Sequence, residues 1–279
     1  MIKVLHTGFF STIQDWGRKG YRNKGVPVSG VMDRYSAAMA NALLENEETD
    51  ALLEITMTGP VLTFDAPTFI AFTGADLQAT LNDQPIDSYQ VHKVETGDTL
   101  AFGKLKNGFR CYLAIKGGFL SEKVLGSRSF FRPITAENCI KAGMELPFHT
   151  HENFKPKITT IKVASLFEET RLEVLPGPEY GILNDQQRKE LLGTVFTIAK
   201  ENNRMAYQLK QNLDGHSVNM LTSATLPGTV QLTPSGKIII LMCDGQTTGG
   251  YPRILQLSQR SISVLSQKKF GDSIAFRLY

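Results

Sequence analysis

The sequence predicts a mainly β protein made of two tandem barrels, and three observations carry that reading. Between residues 51 and 86, short runs rich in Ile, Thr, Phe and Val are punctuated by Gly-Pro, Ala-Pro, Gly-Ala-Asp and Asn-Asp, the pattern of strands joined by tight turns. A Gly-Asp turn precedes an alternating strand late in both halves, in TGDTLAFG and in FGDSIAFR. Each half thus reads as strands, a Gly-Pro turn, a short helix and more strands, which is what two copies of one barrel would leave behind. Finally, KIIILMCDG is an apolar run of the length and composition of a central buried strand.

Taken in order, Ser11 to Val31 shows no sustained apolar period and is punctuated by Gly17, Gly20, Gly25, Pro27 and Gly30, so it reads as an ordered loop around the only tryptophan, Trp16. From Asp33 the pattern changes. Ala37, Ala38, Met39, Ala42 and Leu43 fall on one side of a helix whose N-cap is Asp33. HKVETGDTLAFG and FRCYLAIKGGFL continue the strands, and Leu125 to Phe148 is less regular. The polar, proline-containing HTHENFKPKITTIK suits a connection, which places one domain at 1–155 and another at 156–279, with an approximate boundary and exchange of strands allowed. In the second half a Pro-Gly-Pro turn ends TRLEVLPGPEYGI. A short helix follows in LNDQQRKELLG, opening at Asn184 or Asp185 with Gly193 past its end. TVFTIAKE, RMAYQLK, GTVQLT and KIIILMCDG supply strands.

With 279 residues the chain can bury a large core. Its 30 Lys and Arg against 27 Asp and Glu give a net charge of +3, with no basic block, which points away from nucleic acid and membrane surfaces. MIKVLHTGFF lacks the features of a signal peptide and no apolar run approaches the roughly 20 residues of a membrane span, so the expected location is cytoplasmic. Cys111, Cys139 and Cys243 are odd in number and widely spaced, as buried thiols of a reducing compartment would be. His149 and His151 have no carboxylate or cysteine pattern beside them, so no metal site is expected. GTVQLTPSGK does not have phosphate-loop spacing, and neither a GxGxxG nor a G-x-S-x-G pattern occurs.

The residues with chemistry to offer collect in two loops. In the first, Gln14, Asp15 and Arg18 face a cleft in the functional reading, with Arg18 a carboxylate fork and Asp15 a proton acceptor or orienter. Alternatively an Asp15–Arg18 ion pair only locks the loop, and Asp33 is only a cap. Ser29 and Ser36 lie near first-turn amides that would make a modest anion site, and Asn41 adds a further polar group. The second loop runs from Asp244 through Gly245, Gln246, Thr247, Thr248, Gly249 and Gly250 to Tyr251, directly after IIILMC. Such a loop suits close approach to a ligand, or equally a tight tyrosine-plugged turn.

At these loops the sequence resembles a known family: the C subunit of the bacterial ATP-dependent 5-oxoprolinase, also called allophanate hydrolase subunit 2 or biotin-dependent carboxyltransferase. The resemblance rests on TIQDWGRKGYRNKGVPVSGVMDRYSAAMAN at 12–41, YLAIKGGF and VLGSRS at 112–129, LPGPE at 175–179 and LMCDGQTTGGYPRI at 241–254. It implies tandem cyclophilin-like β-barrels with a few short helices. It also implies a subunit inactive alone, which works with a sister subunit of the allophanate hydrolase subunit 1 type and a lactam-utilisation type subunit. The assembled complex would open 5-oxoproline to glutamate with ATP hydrolysis, this chain binding no cofactor by itself. Two further roles are implied by relatives. One is the carboxyltransferase component of a biotin-dependent urea or amide carboxylase, with carboxybiotin arriving on another chain because no Met-Lys-Met-like attachment site is present. The other is a non-catalytic regulator that binds its sister subunit.

Carried over by position, Gln14 and the Gly245–Gly250 backbone would donate to an oxygen, Arg18 would hold the substrate carboxylate, and Asp15 or Asp244 would handle the proton. Ser29, Asp33, Ser36, Asn41, Gln246, Thr247, Thr248 and Tyr251 complete the substrate-binding set. The sequence departs from the family after LGSRS, where Phe130, Phe131 and ITAENCIK replace a glycine-rich stretch, and at Ala206 and Gln208, where the family has glycine and arginine. Those departures put the identity of the substrate in doubt.

Overall fold

Side chains alternate between the two faces of a strand, and in FRCYLAI both alternating sets are bulky or apolar, so a strand built from it must be covered on both sides. The computed structural model, which describes residues 1–163 and 166–279, covers it so. The chain divides into two units, Met1–Arg18 with Ser29–Ala164 and Lys19–Val28 with Ser165–Tyr279.

The first unit contains β1 (Ile2–His6), β2 (Phe10–Gln14), α1 (Arg34–Leu43), β3 (Leu52–Thr56), β4 (Val61–Phe64), β5 (Thr68–Asp76), β6 (Thr80–Leu81), β7 (Gln84–Pro85), β8 (Val91–Val94), β9 (Thr99–Ala101), β10 (Asn107–Ile115) and β11 (Glu145–Leu146). They form two sheets, ordered β11-β1-β4-β9-β6-β7 and β2-β3-β10-β5-β8. Both sheets line one core. Ile2, Val4, Leu62, Phe64 and Leu100 come from the first, and Ile13, Leu53, Ile55, Ile70, Phe72 and Leu113 from the second. On the other face of the second sheet, Leu52, Ala71, Tyr112 and Ala114 pack beneath Ala37, Ala40 and Leu43 of α1. Each fully buried Leu or Ile contributes about 1.5–3 kcal/mol, so this two-sided burial of β10 anchors the unit.

The stretch read as loop from Ser11 is in fact strand as far as Gln14. Ser11 and Ile13 are buried on the core side while Thr12 and Gln14 are equally buried on the other. Polar residues on a covered face hide the alternation that marks a strand. Asp33 caps α1 through its carboxylate, which accepts from the Ser36 amide at 3.1 Å and the Ser36 hydroxyl at 2.6 Å.

The second unit contains β12 (Arg171–Pro176), α2 (Asp185–Gly193), β13 (Phe196–Asn202), β14 (Ala206–Leu209), β15 (Ser223–Ala224), β16 (Thr229–Leu232), β17 (Ile238–Leu241), β18 (Thr248–Gly249), β19 (Arg253–Leu257), α3 (Gln259–Ser266) and β20 (Ser273–Leu278). Seven of these strands close a barrel in the order β12-β19-β16-β17-β14-β13-β20, with β12 and β20 running parallel. Asn184 opens α2 with a reciprocal capping box to Gln187, and Gly193 is the last helical residue rather than the one beyond it. The sequence gives no sign of α3, because QRSISVLS alternates serine with branched residues as a strand would. The mainly β prediction holds. The second unit closes one sheet on itself and the first wraps two sheets round a shared core.

Cys111 and Cys243 are buried and Cys139 is half-buried, all three unbridged. Among the described residues no helix is long and apolar enough to cross a membrane.

Candidate functional site

The candidates divide between the two units. In the first, the turn after β2 is clasped to the segment 124–129. The Asp15 carboxylate accepts from the Gly17 amide at 2.7 Å, the Ser127 hydroxyl at 2.6 Å, the Ser129 hydroxyl at 2.7 Å and the Arg128 amide at 2.6 Å. Arg18, fully buried, donates from Nε to the Val124 carbonyl at 3.2 Å and from Nη2 to the Ser129 carbonyl. Two stretches that carry the family resemblance, TIQDWGR and VLGSRS, therefore meet in one hydrogen-bonded clasp.

Against the clasp lies the turn Ser29–Gly30. The Val31 amide donates to the Asp15 carbonyl at 2.9 Å. A Cβ on Gly30, whose φ is 81°, would come within 2.8 Å of the Gly17 nitrogen, so only glycine allows this approach. Ser29 also adopts positive φ, at 56°, and its hydroxyl is buried with no hydrogen-bond partner among the described residues. Gln14 donates from Nε2 to the Thr12 hydroxyl at 3.0 Å and to the Phe130 carbonyl at 3.1 Å. A carbonyl only accepts, which fixes the amide orientation and leaves Gln14 Oε1 buried without a partner. Asn41 lies at the other end of α1, where it donates to the carbonyls of Glu48 and Asp50 and holds the following loop.

Sequence reasoning missed the residues beneath this turn. Thr12, Glu54 and Tyr112 lie opposite one another across β2, β3 and β10, on the face covered by α1. Glu54, wholly buried, accepts from the Met32 amide at 2.8 Å and sits 3.7 Å from Arg110 Nε. The Tyr112 hydroxyl accepts from the Asp33 amide at 2.8 Å, and burial, with the Glu54 and Asp33 carboxylates nearby, pushes its pKa far up. Thr73 donates to the Ser36 carbonyl at 2.6 Å. The only signal in the sequence was a Glu and an Arg inside runs otherwise fit for a core.

In the second unit the loop after β17 is tied down in the same manner. Asp244 receives a bidentate fork from Arg204, at 2.8 Å and 3.0 Å. The Gly245 amide donates to the Met242 carbonyl at 2.9 Å, and Thr248–Gly249 pairs with Ser223–Ala224, so several of the backbone groups expected to face an oxyanion serve the fold. Thr225 donates to the Gln246 carbonyl and receives Arg22 Nη2 on its own carbonyl. Thr247 is buried, Gln246 is half-buried, and Thr248 and Tyr251 are exposed.

Glu179 and Arg253 form a second fork, Nε to Oε2 at 2.8 Å and Nη2 to Oε1 at 2.7 Å, joining LPGPE to GGYPRI. The Arg253 hydrogen bond, opposed by partial burial, holds the Glu179 carboxyl below its usual pKa. A folded-state pKa below the unfolded one gives stability that is present above the unfolded value and lost as pH falls through the folded one. The melting-temperature gap between wild type and Glu179→Gln is thus expected to be widest near neutral pH and to close below about pH 4, read from thermal melts across that range.

Known proteins share this architecture. Residues 24–278 match the family described as carboxyltransferase domain, subdomain A and B. The chain is 30% identical to the 5-oxoprolinase C subunit of Escherichia coli, over 99% of this chain and 90% of that one. It is 31% identical to the 5-oxoprolinase C subunit of Haemophilus influenzae, with the same coverage of 99% and 90%. Among solved structures, the K. lactis urea amidolyase superposes with a TM-score of 0.89 at 28% identity, over 99% of this chain but 18% of that one. The chain thus spans nearly the whole of the bacterial subunits and under a fifth of the urea amidolyase. It belongs to the carboxyltransferase domain, subdomain A and B, family.

Proposed function

We propose that this chain is a non-autonomous subunit of an ATP-dependent 5-oxoprolinase, which opens 5-oxoproline to glutamate together with a sister subunit of the allophanate hydrolase subunit 1 type and a lactam-utilisation type subunit. The observation that carries the reading is collinearity: 99% of this chain aligns with 90% of the Escherichia coli 5-oxoprolinase C subunit. The geometry supports a non-autonomous role, since Asp15, Arg18 and Asp244 are each engaged by groups of their own unit. A lactam carbonyl is resonance-stabilised, and opening it requires activation, a positioned water and a donor for the developing oxyanion. Among the described residues, Gln14 Oε1 and the Ser29 hydroxyl are buried at the first loop without hydrogen-bond partners, an acceptor and a donor that match the N–H and C=O of a small amide. Both are closed to solvent in this conformation, so ligand access requires the Ser29–Gly30 turn to move.

The test is ATP hydrolysis by the mixed subunits, with and without 5-oxoproline, in the complete mixture and in one lacking this chain. Stimulation by 5-oxoproline in the complete mixture alone is the expected result. A folded, verified assembly without it would sink the reading. A second reading, transfer of carboxyl from a carboxybiotin held on another chain to urea or a related amide, draws on the likeness to urea amidolyase. Under it, turnover would require a biotin carboxylase and a biotin carrier.

A further inference from the structure

A substrate carboxylate needs a cation, and the residue that the family resemblance offers for it, Arg18, is already committed. Its guanidinium is fully buried and donates to the Val124 and Ser129 carbonyls. Around the same turn Arg128 donates to the Ser121 carbonyl and Arg110 faces Glu54. Arg34 differs from all three. It is half-buried, and its guanidinium lies over the ring of Trp16, 4.7 Å from the centroid. Among the described residues no carboxylate lies within ion-pair reach of it.

This placement runs against local electrostatics. Arg34 is the first residue of α1, where the helix dipole favours anions, and the first turn holds no acidic residue. The nearest acid in sequence, Asp33, is committed to Ser36 as the cap. The stack is nevertheless held firmly, because Trp16 donates from Nε1 to the Glu48 carbonyl while the Met32 and Asp33 amides donate to Glu54 and Tyr112. Stacking engages the face of a guanidinium and leaves its edge N–H groups in plane for a bidentate acceptor. The Val31 amide on the Asp15 carbonyl sets Ser29–Val31 beside Asp15–Gly17, which puts this fork at the same turn as Gln14 Oε1 and the Ser29 hydroxyl.

We propose that Arg34, stacked on Trp16, binds the carboxylate of the amide substrate, so that the site selects small amides that also carry a negative charge. The assignment rests on the oxoprolinase reading and adds to it the residue that recognises the acid group. A guanidinium held against an indole is oriented before the carboxylate docks, so little rotamer freedom is lost on binding. With Gln14 Oε1 and the Ser29 hydroxyl on the amide and Arg34 on the carboxylate, a five-membered ring is fixed in one orientation.

Steady-state ATP hydrolysis by the complete subunit mixture tests this, with 5-oxoproline and its uncharged carboxamide as separate probes. In Arg34→Gln, at wild-type melting temperature, the half-saturating concentration of 5-oxoproline should rise about tenfold or more while kcat changes by less than about twofold. Arg34→Lys, which keeps the charge but not the fork, should recover part of the loss. The carboxamide, read as stimulation or as competition, should bind wild type about tenfold or more weaker than 5-oxoproline and be indifferent to Arg34→Gln. If Arg34→Gln does not fold, the comparison moves to Arg34→Lys, where a rise of about threefold or more confined to 5-oxoproline is expected. Equal weakening of both probes, or an unchanged half-saturating concentration for 5-oxoproline, would overturn the assignment, because an arginine that only supports Trp16 confers no preference for charge. A wild-type mixture that 5-oxoproline does not stimulate is a separate failure: it removes the oxoprolinase reading, and this assignment with it.

Discussion

Asp15→Asn is expected to lower the melting temperature by on the order of 10 °C. The carboxylate accepts four hydrogen bonds at 2.6–2.7 Å, from two backbone amides and two serine hydroxyls on both sides of the clasp. An asparagine is the same size, but its amide nitrogen would face donors with donors, and the negative charge that strengthens all four bonds would be gone. Loss of a buried network of this kind costs about 3–5 kcal/mol, and each kcal/mol shifts the melting point of a unit this large by roughly 2–4 °C. Ser127→Ala and Ser129→Ala each remove one donor and should cost about 1 kcal/mol. Differential scanning calorimetry distinguishes this from proton transfer. A residue that only moved a proton would leave the asparagine variant as stable as wild type and abolish turnover, and that result would discard the clasp.

The sheet framework was legible because its core strands follow simple chemistry. FRCYLAI and IIILMC carry enough apolar volume to be buried wherever the chain places them, and Gly-Asp and Gly-Pro mark the turns between them. Two helices were legible from their caps, Asp33 and Asn184. What failed to show was polarity on buried faces. Thr12 and Gln14 made β2 read as loop, while Glu54 and Arg110 could not be joined without knowing that Glu54 lies opposite Tyr112, since register is a long-range property. The loop motifs were recognised for their composition, but their contacts lie elsewhere in the chain: Asp15 and Arg18 at 124–129, Asp244 at Arg204, Arg253 at Glu179. A sequence names the polar residues and leaves their partners to the fold.

Arg110→Met is expected to destabilise the chain by about 3–5 kcal/mol, because it leaves the Glu54 carboxylate buried opposite an apolar side chain. Glu54 lies fully within the sheet face and its other oxygen anchors the Met32 amide, two residues beyond the Ser29–Gly30 turn. The neighbouring Asp33 and Tyr112 side chains carry no positive charge that could replace the guanidinium. Glu54→Gln in the same variant removes the stranded charge while keeping an acceptor for Met32, so the double variant Glu54→Gln/Arg110→Met should be more stable than Arg110→Met alone. Urea unfolding of wild type, both single variants and the double gives the coupling energy directly, and additive single effects would show that the pair is not a unit. Activity of the assembled complex then separates structure from chemistry. If turnover returns with stability in the double variant, the pair serves to hold the turn above it. If stability returns and turnover does not, the charge itself acts on the reaction.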